Sequence, residues 1–186
     1  MNNYNENEII ALLHDPDRQR EAFERIVQKY SETLYWQIRR IVLSHDDAND
    51  ILQNTFFKAW QNIEYFRGEA KMSTWLFRIA FNECLAFTNK KRASETVSFD
   101  NVDSDILNKL ESDPYFNGDK IQRELHKAIQ KLPEKQRLVF NMRYFDEMKY
   151  EDISEITGTS VGALKASYHH AYNKIKTELE EMMIDR

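Results

Sequence analysis

Hydrophobic residues recur at intervals of three and four along most of the chain, which is the spacing of one face of an α-helix. An apolar patch at 9–13, followed by Asp15-Pro16-Asp17, predicts a short helix and then a loop. The amphipathic pattern at 21–42 predicts a long helix that ends near Ser44 and His45. A third helix is predicted to begin with Asp46 or Asp47 as its N-cap. Its buried stripe is Ile51, Leu52, Thr55, Phe56, Ala59 and Ile63, whereas Asp50, Gln53, Asn54 and Lys58 face elsewhere.

Residues 65–82 combine aromatic and basic side chains in an order that no simple two-faced helix accommodates. Gly68 predicts a turn that presents aromatic rings and cations near a surface, and Ser73 or Thr74 is predicted to cap the following helix. Unpaired nucleic acid suits such a surface, because bases stack on aromatic faces and cations hold the phosphates. On residue types alone, aromatic residues at helical spacing more often form a core, and Trp75 fits either interpretation.

The last third of the chain has the pattern of a helix-turn-helix. Pro133 is predicted in the first turn of one helix, Gly158 is predicted to end a later helix, and Ser160 is predicted to cap the next. No acidic residue occurs at 160–177, so this last helix can approach phosphates. The face opposite its apolar stripe carries the candidates for contact with a DNA groove, which are Gly162, Lys165, Ala166, His169, His170 and Asn173.

Composition agrees with an all-α fold of two small helical domains joined by an acidic flexible linker. The 186 residues are 41% hydrophobic and include only 4 Gly and 3 Pro, which favours long helices over a many-stranded sheet. The net charge of −5 is not spread evenly, because residues 94–119 contain 7 acidic residues and 1 basic residue. The two flanking blocks are nearly neutral and retain local basic patches that suit DNA. We therefore predict domains at 1–93 and 120–186, with a linker at 94–119.

Several classes of function find no support in the sequence. The single Cys84 excludes an internal disulfide, and the cluster Asp46, Asp47, Asn49 and Asp50 lacks the spacing of a calcium-binding loop. His169 and His170 are adjacent, which is the wrong spacing for two zinc ligands on one helix face. No phosphate-binding glycine loop or nucleophile with a base partner is evident, so we expect neither an enzyme nor a cofactor. No signal peptide or membrane span is predicted, which favours a cytoplasmic protein.

Two ordered sets of residues resemble those of extracytoplasmic-function (ECF) sigma factors of the sigma-70 family. The first set resembles their promoter-melting segment and comprises Phe66, Arg67, Gly68, Lys71, Ser73, Thr74, Trp75, Leu76, Arg78, Ile79, Ala80 and Asn82. The second set, Asp47, Ala48, Asp50, Gln53, Phe56 and Ala59, is similar to their polymerase-docking helix. The resemblance extends over about residues 22–92 and 125–179, with the helix-turn-helix placed as in the family.

This resemblance implies a transcription initiation factor that binds core RNA polymerase, recognises promoter DNA and promotes strand opening, and that performs no catalysis itself. The first domain would then dock on polymerase and read the minus-ten element, and the second would read the minus-thirty-five element. By the same resemblance, the linker would run through the RNA channel of polymerase. An anti-sigma factor is a further expected partner.

The resemblance also assigns residues to each contact. Core polymerase would bind Asp47, Asp50, Gln53 and Asn54. The minus-ten element would contact Phe66, Arg67, Lys71, Thr74, Trp75, Arg78, Asn82, Lys90, Lys91 and Arg92, with Phe66, Lys71 and Trp75 lining or supporting the melted strand. The minus-thirty-five element would contact Ser160, Gly162, Lys165, Ala166, His169, His170 and Asn173.

The sequence departs from the family at two places. Ala86, Phe87 and Thr88 stand where an acid and further arginines are usual, and His169 and His170 stand where aromatic and arginine residues are common. We hypothesise that protonation of the histidines tunes the DNA contact. The alternatives are a helix-turn-helix regulator that is not a polymerase subunit and an interaction protein that does not bind DNA.

Overall fold

A computed structural model describes residues 5–94 and 120–184, and the chain divides into two compact units, 1–90 and 91–186. Over the described residues the fold consists of eight α-helices and one 3-10 turn, without a strand, so the all-α prediction is confirmed. The predicted acidic linker at 94–119 lies, from residue 95 onward, outside the described residues. Ser94 is the last residue of a helix.

Four of the described helices begin in the amino-terminal unit, and the last of them continues past residue 90. Their bounds are Glu6–Leu13 for α1, Gln19–Val42 for α2, His45–Gln61 for α3 and Met72–Ser94 for α4, with the 3-10 turn at Ile63–Tyr65 between α3 and α4. The short first helix and the long second helix agree with the sequence pattern. Helix α2 ends because Leu43 adopts a left-handed conformation with φ of 60°, and its backbone N–H donates to the carbonyl of Arg39.

The N-caps of α3 and α4 differ from the predictions. Ser44, rather than Asp46 or Asp47, caps α3, because its hydroxyl accepts a hydrogen bond from the Asp47 backbone N–H at 3.4 Å. Helix α4 begins at Met72, so Ser73 and Thr74 lie inside its first turn and neither is the N-cap. Both predictions were wrong because several capping residue types stand side by side and only the backbone conformation selects among them.

Apolar faces of the four helices form the core of the amino-terminal unit. The predicted stripe of α3 is largely confirmed, with Ile51, Thr55 and Ala59 buried and Ile63 buried in the 3-10 turn. In α4 the buried face is wide and includes Leu76, Phe77, Ala80, Phe81 and Cys84. Burial raises the pKa of the Cys84 thiol to about 12, so this thiol is neutral and serves packing.

The described part of the carboxy-terminal unit from residue 120 onward contains four helices. They are α5 at Lys120–Gln130, α6 at Glu134–Tyr144, α7 at Tyr150–Thr157 and α8 at Val161–Ile184. Pro133 precedes the first residue of α6, one position earlier than predicted. Helix α8 packs against α5, α6 and α7. One buried hydrophobic cluster of this unit comprises Ala128, Ile129, Leu132, Phe140, Ala171 and Ile175.

The turn between α7 and α8 has the predicted helix-turn-helix geometry. Gly158 adopts a left-handed conformation with φ of 68° and ends α7. The Ser160 hydroxyl accepts a hydrogen bond from the Ala163 backbone N–H at 3.4 Å and so caps α8. Both predictions are therefore confirmed. Each depended on one residue type at one position, a glycine for the left-handed turn and a serine for the helix cap.

Candidate polymerase-binding and nucleic-acid surfaces

One exposed face of α3 carries a phenylalanine among polar side chains. The side chains of Asp50, Gln53 and Asn54 are exposed, and that of Asp47 is half-buried. Phe57 follows Asp50 by two helical turns and is 61% exposed, which is unusual for phenylalanine. We call Asp50, Gln53, Asn54 and Phe57 the α3 surface. Sequence reasoning missed Phe57, although its position on the same helical face as Asp50 would have identified it.

The apolar character of this region extends to Trp60, which is 39% exposed. Its ring lies 5.0 Å from the ring of Phe23 on α2, and Phe56 also contacts Phe23 edge-on at 6.4 Å. These contacts fix one side of the Trp60 ring while the rest of it faces solvent. Helix α3 therefore presents a rigid aromatic patch next to amide and carboxylate groups, which is a composition typical of protein-binding surfaces.

An open groove of about 450 Å³ lies between α3 and α4 in the amino-terminal unit. We call it the α3–α4 groove, and its lining is Lys58, Asn62, Tyr65, Trp75, Arg78, Ile79, Asn82 and Glu83. Three of the residues predicted to contact the minus-ten element, Trp75, Arg78 and Asn82, therefore meet in one place. Lys58 and Glu83 form an ion pair at 2.5 Å between the two helices.

Tyr65 is the most exposed aromatic residue at this groove. Its side chain is 76% exposed, whereas the adjacent Phe66 is only 3% exposed. The Phe66 ring packs instead against the Trp75 ring, with 5.1 Å between their centroids. Of the two predicted roles for Phe66, its burial therefore fits support of Trp75 rather than direct lining of a bound strand. The sequence prediction did not assign a role to Tyr65, which is the exposed aromatic residue of this turn.

The remaining predicted minus-ten residues are distributed around the unit rather than gathered in the groove. Thr74 is only 6% exposed, which does not fit its predicted direct contact with DNA. Arg67, Lys71 and Lys90 are exposed and Lys91 is half-buried. The side chain of Arg92 lies outside the described part of the chain. None of the four exposed or half-buried cations lines the α3–α4 groove.

Helix α8 presents the predicted groove-facing residues on its outer face. Gly162, Lys165, Ala166, His169, His170 and Asn173 are all exposed, as is Ser160 before the helix. The His169 Nε2 atom lies 3.0 Å from the Asn173 Nδ2 atom, one helical turn away, so these two side chains orient each other. Asn173 is therefore held by a neighbour before any ligand arrives.

A tyrosine that sequence reasoning did not select lies beside this face. The Tyr150 ring contacts two cations, with the Arg143 guanidinium carbon 5.4 Å and the Lys165 Nζ atom 5.7 Å from its centroid. Arg143 also donates to the Met148 carbonyl at 3.0 Å. Burial raises the pKa of the nearby Tyr168 hydroxyl, so this group stays neutral. The start of α8 thus combines positive charge with ordered aromatic rings.

Other classes of site are sparse in the part of the chain that is described. No group of three or more His, Cys, Asp or Glu side chains there could hold a metal ion. None of the described helices combines the length and apolar character needed to cross a membrane.

Comparison with known proteins identifies relatives for both units. Residues 26–94 match the family described as sigma-70 region 2, and residues 122–175 match sigma-70, region 4. The ECF RNA polymerase sigma factor SigW of Bacillus subtilis is 30% identical, with 87% of this chain and 91% of that protein aligned. The RNA polymerase sigma-H factor of Pseudomonas aeruginosa is 29% identical over 87% of this chain and 88% of its own length.

A solved structure shows the same fold. The sigma factor RpoE from Bartonella quintana, solved in complex with the anti-sigma factor NepR, aligns with a TM-score of 0.68 and 24% sequence identity. The alignment includes 85% of this chain and 96% of that chain.

Proposed function

Since the chain belongs to the ECF group of sigma-70 family RNA polymerase sigma factors and serves transcription initiation, we propose that it divides this task among three surfaces. The α3 surface docks on core RNA polymerase. The α3–α4 groove captures the melted minus-ten strand, and the outer face of α8 reads the minus-thirty-five element. This assignment makes residues 1–93 the melting domain and 120–186 the upstream-reading domain.

Docking on core polymerase is assigned to the α3 surface because of its exposed phenylalanine among polar side chains. A ring that is 61% exposed gains free energy when a partner removes it from water. Asp50, Gln53 and Asn54 around it supply hydrogen-bonding groups that fix orientation. Asp47 at the start of α3 completes the predicted contact set.

Capture of the melted strand is assigned to the α3–α4 groove, and its lining is the observation that carries the proposal. The groove is as large as pockets that hold small organic ligands, roughly 300–1,000 Å³, and therefore has room for an extruded base. Tyr65 and Trp75 offer ring faces for stacking, and Arg78 offers a cation for phosphate. Asn82 at the same groove offers an amide that can recognise a base edge.

Strand opening then follows from binding energy rather than from catalysis. Extruding a base costs a few kcal/mol of stacking, whereas stacking on a protein ring returns roughly 1–3 kcal/mol per base. Exposed Arg67, Lys71 and Lys90 lie outside the groove and suit the phosphates that flank the melted segment. The family consists of initiation factors, and we extend this to the proposal that the chain performs no chemistry.

Reading of the upstream element is assigned to α8. The backbone at Gly162 is open to close approach, because a Cβ added there would meet nothing within 4 Å, and the small side chain of Ala166 is exposed on the same face. Lys165, His169 and Asn173 bring hydrogen-bonding groups to the same exposed face. Lys165 on this face and Arg143, which contacts the same Tyr150 ring, add positive charge for the DNA backbone.

An anti-sigma protein is proposed as a regulatory partner, since a structural relative was solved with one. The carboxy-terminal unit exposes Ile121, Tyr144 and Tyr172, which are 64%, 51% and 51% exposed and would suit an apolar partner surface. We place the site of action in the cytoplasm because core polymerase works there.

Run-off transcription with purified core polymerase on linear genomic fragments tests the proposed function. We expect start sites that require both the chain and core, and we expect Trp75→Ala and Arg78→Ala to reduce transcription from duplex templates. On a template with the minus-ten segment already mismatched, Arg78→Ala should still transcribe less than wild type, because capture of the melted strand is impaired. The control Arg20→Ala removes an exposed cation outside the groove and should match wild type on both templates. A helix-turn-helix regulator would instead bind duplex DNA without core and would direct no transcription by itself.

A further inference from the structure

We infer that Glu6 is a positioning residue for promoter opening, because its carboxylate on α1 holds the first turn of α4 and the loop that leads into the α3–α4 groove. The inference rests on the proposed function, since it concerns the same groove. It adds a role for the first helix, to which neither the sequence motifs nor the groove lining points.

The contact itself is a short hydrogen bond between residues distant in sequence. The backbone N–H of Met72 donates to Oε1 of Glu6 at 2.7 Å. Met72 is the first residue of α4, and the first N–H groups of a helix have no acceptor within the helix. A carboxylate satisfies such a donor with a charge-assisted bond, and its negative charge is favoured at the positive end of the helix dipole. Helix α4 thus obtains an N-terminal acceptor from α1.

A second residue of α1 contacts the other part of the same loop. A Cβ atom added at Gly68 would lie 3.3 Å from Cδ1 of Ile10, which is one helical turn after Glu6. Gly68 has φ of 73°, a conformation that residues with side chains rarely adopt. Glu6 and Ile10 together therefore hold the loop 66–71 from one helix.

This loop determines how the two rings of the groove are placed. It connects the 3-10 turn that ends with Tyr65 to the first turn of α4, which carries Trp75. Both rings line the groove. If the first turn of α4 frays, Trp75 moves relative to Tyr65, and the stacking site for an extruded base loses its preformed geometry. Preformed geometry matters because a site that must first order itself binds more weakly.

The contact is separable from folding of the unit. Helix α1 is anchored by Ile9 and Leu13, which are 1% and 3% exposed, whereas the side chain of Glu6 is not part of that core. Removing the carboxylate leaves both anchors in place. Glu8 provides a matched control on the same helix, because it carries the same charge and its carboxylate meets Arg25 at 3.5 Å instead of α4.

The experiment compares Glu6→Ala, Glu6→Gln and Glu8→Ala in full-length protein bound to core polymerase. The probe is a duplex promoter identified by start-site mapping with the wild-type protein, carrying 2-aminopurine in the minus-ten element. We expect Glu6→Ala to lower the equilibrium for opening about fivefold, the scale of losing one helix-capping bond. Glu6→Gln should lie between Glu6→Ala and wild type, because its amide oxygen still accepts the bond without charge. Glu8→Ala should stay within about twofold of wild type.

Two further measurements separate positioning from general destabilisation. Affinity for core should be the same in all three variants, and hydrogen exchange of the free protein should accelerate at Met72 and Ser73 only in the Glu6 variants. The inference is overturned if Glu6→Ala opens the promoter as well as wild type does, or if Glu8→Ala loses as much promoter opening as Glu6→Ala. Either result leaves the proposed function intact. A parallel loss of core affinity in Glu6→Ala also overturns it. Failure of the wild-type protein to open any promoter overturns the proposed function and the inference together.

Discussion

Replacing Phe57 by alanine should weaken binding to core RNA polymerase without weakening the fold. A phenylalanine side chain offers about 200 Å² of surface, and 61% exposure leaves about 120 Å² of it accessible to a partner. At about 25 cal/mol per Å², complete burial of that area is worth about 3 kcal/mol as an upper bound. We expect a loss of about 1–3 kcal/mol, which corresponds to a roughly 5- to 150-fold weaker complex.

The effect on stability should be of a different size. Because most of the ring already faces water in the free protein, its removal costs the folded state little, and the free energy of unfolding should change by less than about 0.5 kcal/mol. Affinity is measured by titrating labelled protein with core polymerase. Stability is measured by urea unfolding followed by tryptophan emission, since Trp36, Trp60 and Trp75 all belong to the amino-terminal unit.

Tyr65→Ala is the matched control for this experiment. Tyr65 is even more exposed, at 76%, but it lies at the α3–α4 groove rather than on the α3 surface. We expect Tyr65→Ala to bind core normally and to open promoters poorly. Phe57→Ala should bind core weakly, but it should open promoters normally once a saturating concentration of the protein restores complex formation. Unchanged core affinity in Phe57→Ala would refute the assignment of the α3 surface.

Two predictions concern stability. Gly158→Ala should destabilise the carboxy-terminal unit by about 1 kcal/mol and Gly158→Asn by less, because the φ of 68° is unfavourable for a residue with a side chain although nothing obstructs its Cβ. Thermal unfolding followed by circular dichroism should show the loss. Tryptophan emission should not, because all three tryptophans belong to the amino-terminal unit. For Cys84, burial raises the pKa of the thiol in the folded protein to about 12, from an ordinary value of 9.0. The unfolded chain therefore loses the thiol proton at lower pH than the folded protein does. Stability should therefore fall by up to about 1.4 kcal/mol per pH unit above pH 9, and the advantage of wild type over Cys84→Ala should shrink at the same rate; a constant difference between pH 8 and pH 10 would contradict this.

The helices were predictable because their hydrophobic periodicity is a local property of the sequence. The left-handed turn at Gly158 and the cap at Ser160 were predictable for the same reason, since each depends on one residue type at one position. The exposed position of Phe57 was equally available from helical spacing, because it lies seven residues after Asp50. Phe57 is not part of the predicted buried stripe of α3, and a phenylalanine outside the buried stripe of a helix indicates a binding surface.

Contacts between distant residues were beyond the reach of the sequence pattern. Whether Tyr65 or Phe66 turns inward depends on how the 3-10 turn meets α4, and the two aromatics are adjacent in sequence. The N-terminal acceptor of α4 comes from Glu6, 66 residues earlier, whereas local rules favoured Ser73 or Thr74. The α3–α4 groove likewise exists only because Lys58 and Asn82, on different helices, lie on the same concave surface.

The pair His169 and Asn173 leads to a prediction about pH. With a neutral imidazole, Nε2 accepts a hydrogen bond from the Asn173 amide at 3.0 Å. A proton on Nε2 makes this atom a donor, so the Asn173 amide must rotate to present its oxygen, which changes the edge offered to DNA. The same proton adds positive charge to a helix without acidic residues at 160–177.

A pH series at fixed ionic strength tests whether protonation of the two histidines tunes the DNA contact, and promoter affinity should rise as the solution becomes more acidic. We expect each histidine to add about 0.5–1 kcal/mol, or roughly 2- to 5-fold in affinity, the scale of one exposed charge contact. His169→Gln with His170→Gln should flatten the profile, whereas His14→Gln, in the other unit, should leave it unchanged. Binding of the wild-type holoenzyme to promoter DNA by gel shift provides the measurement. An equal slope in wild type and the double variant would show that the histidines do not regulate this contact.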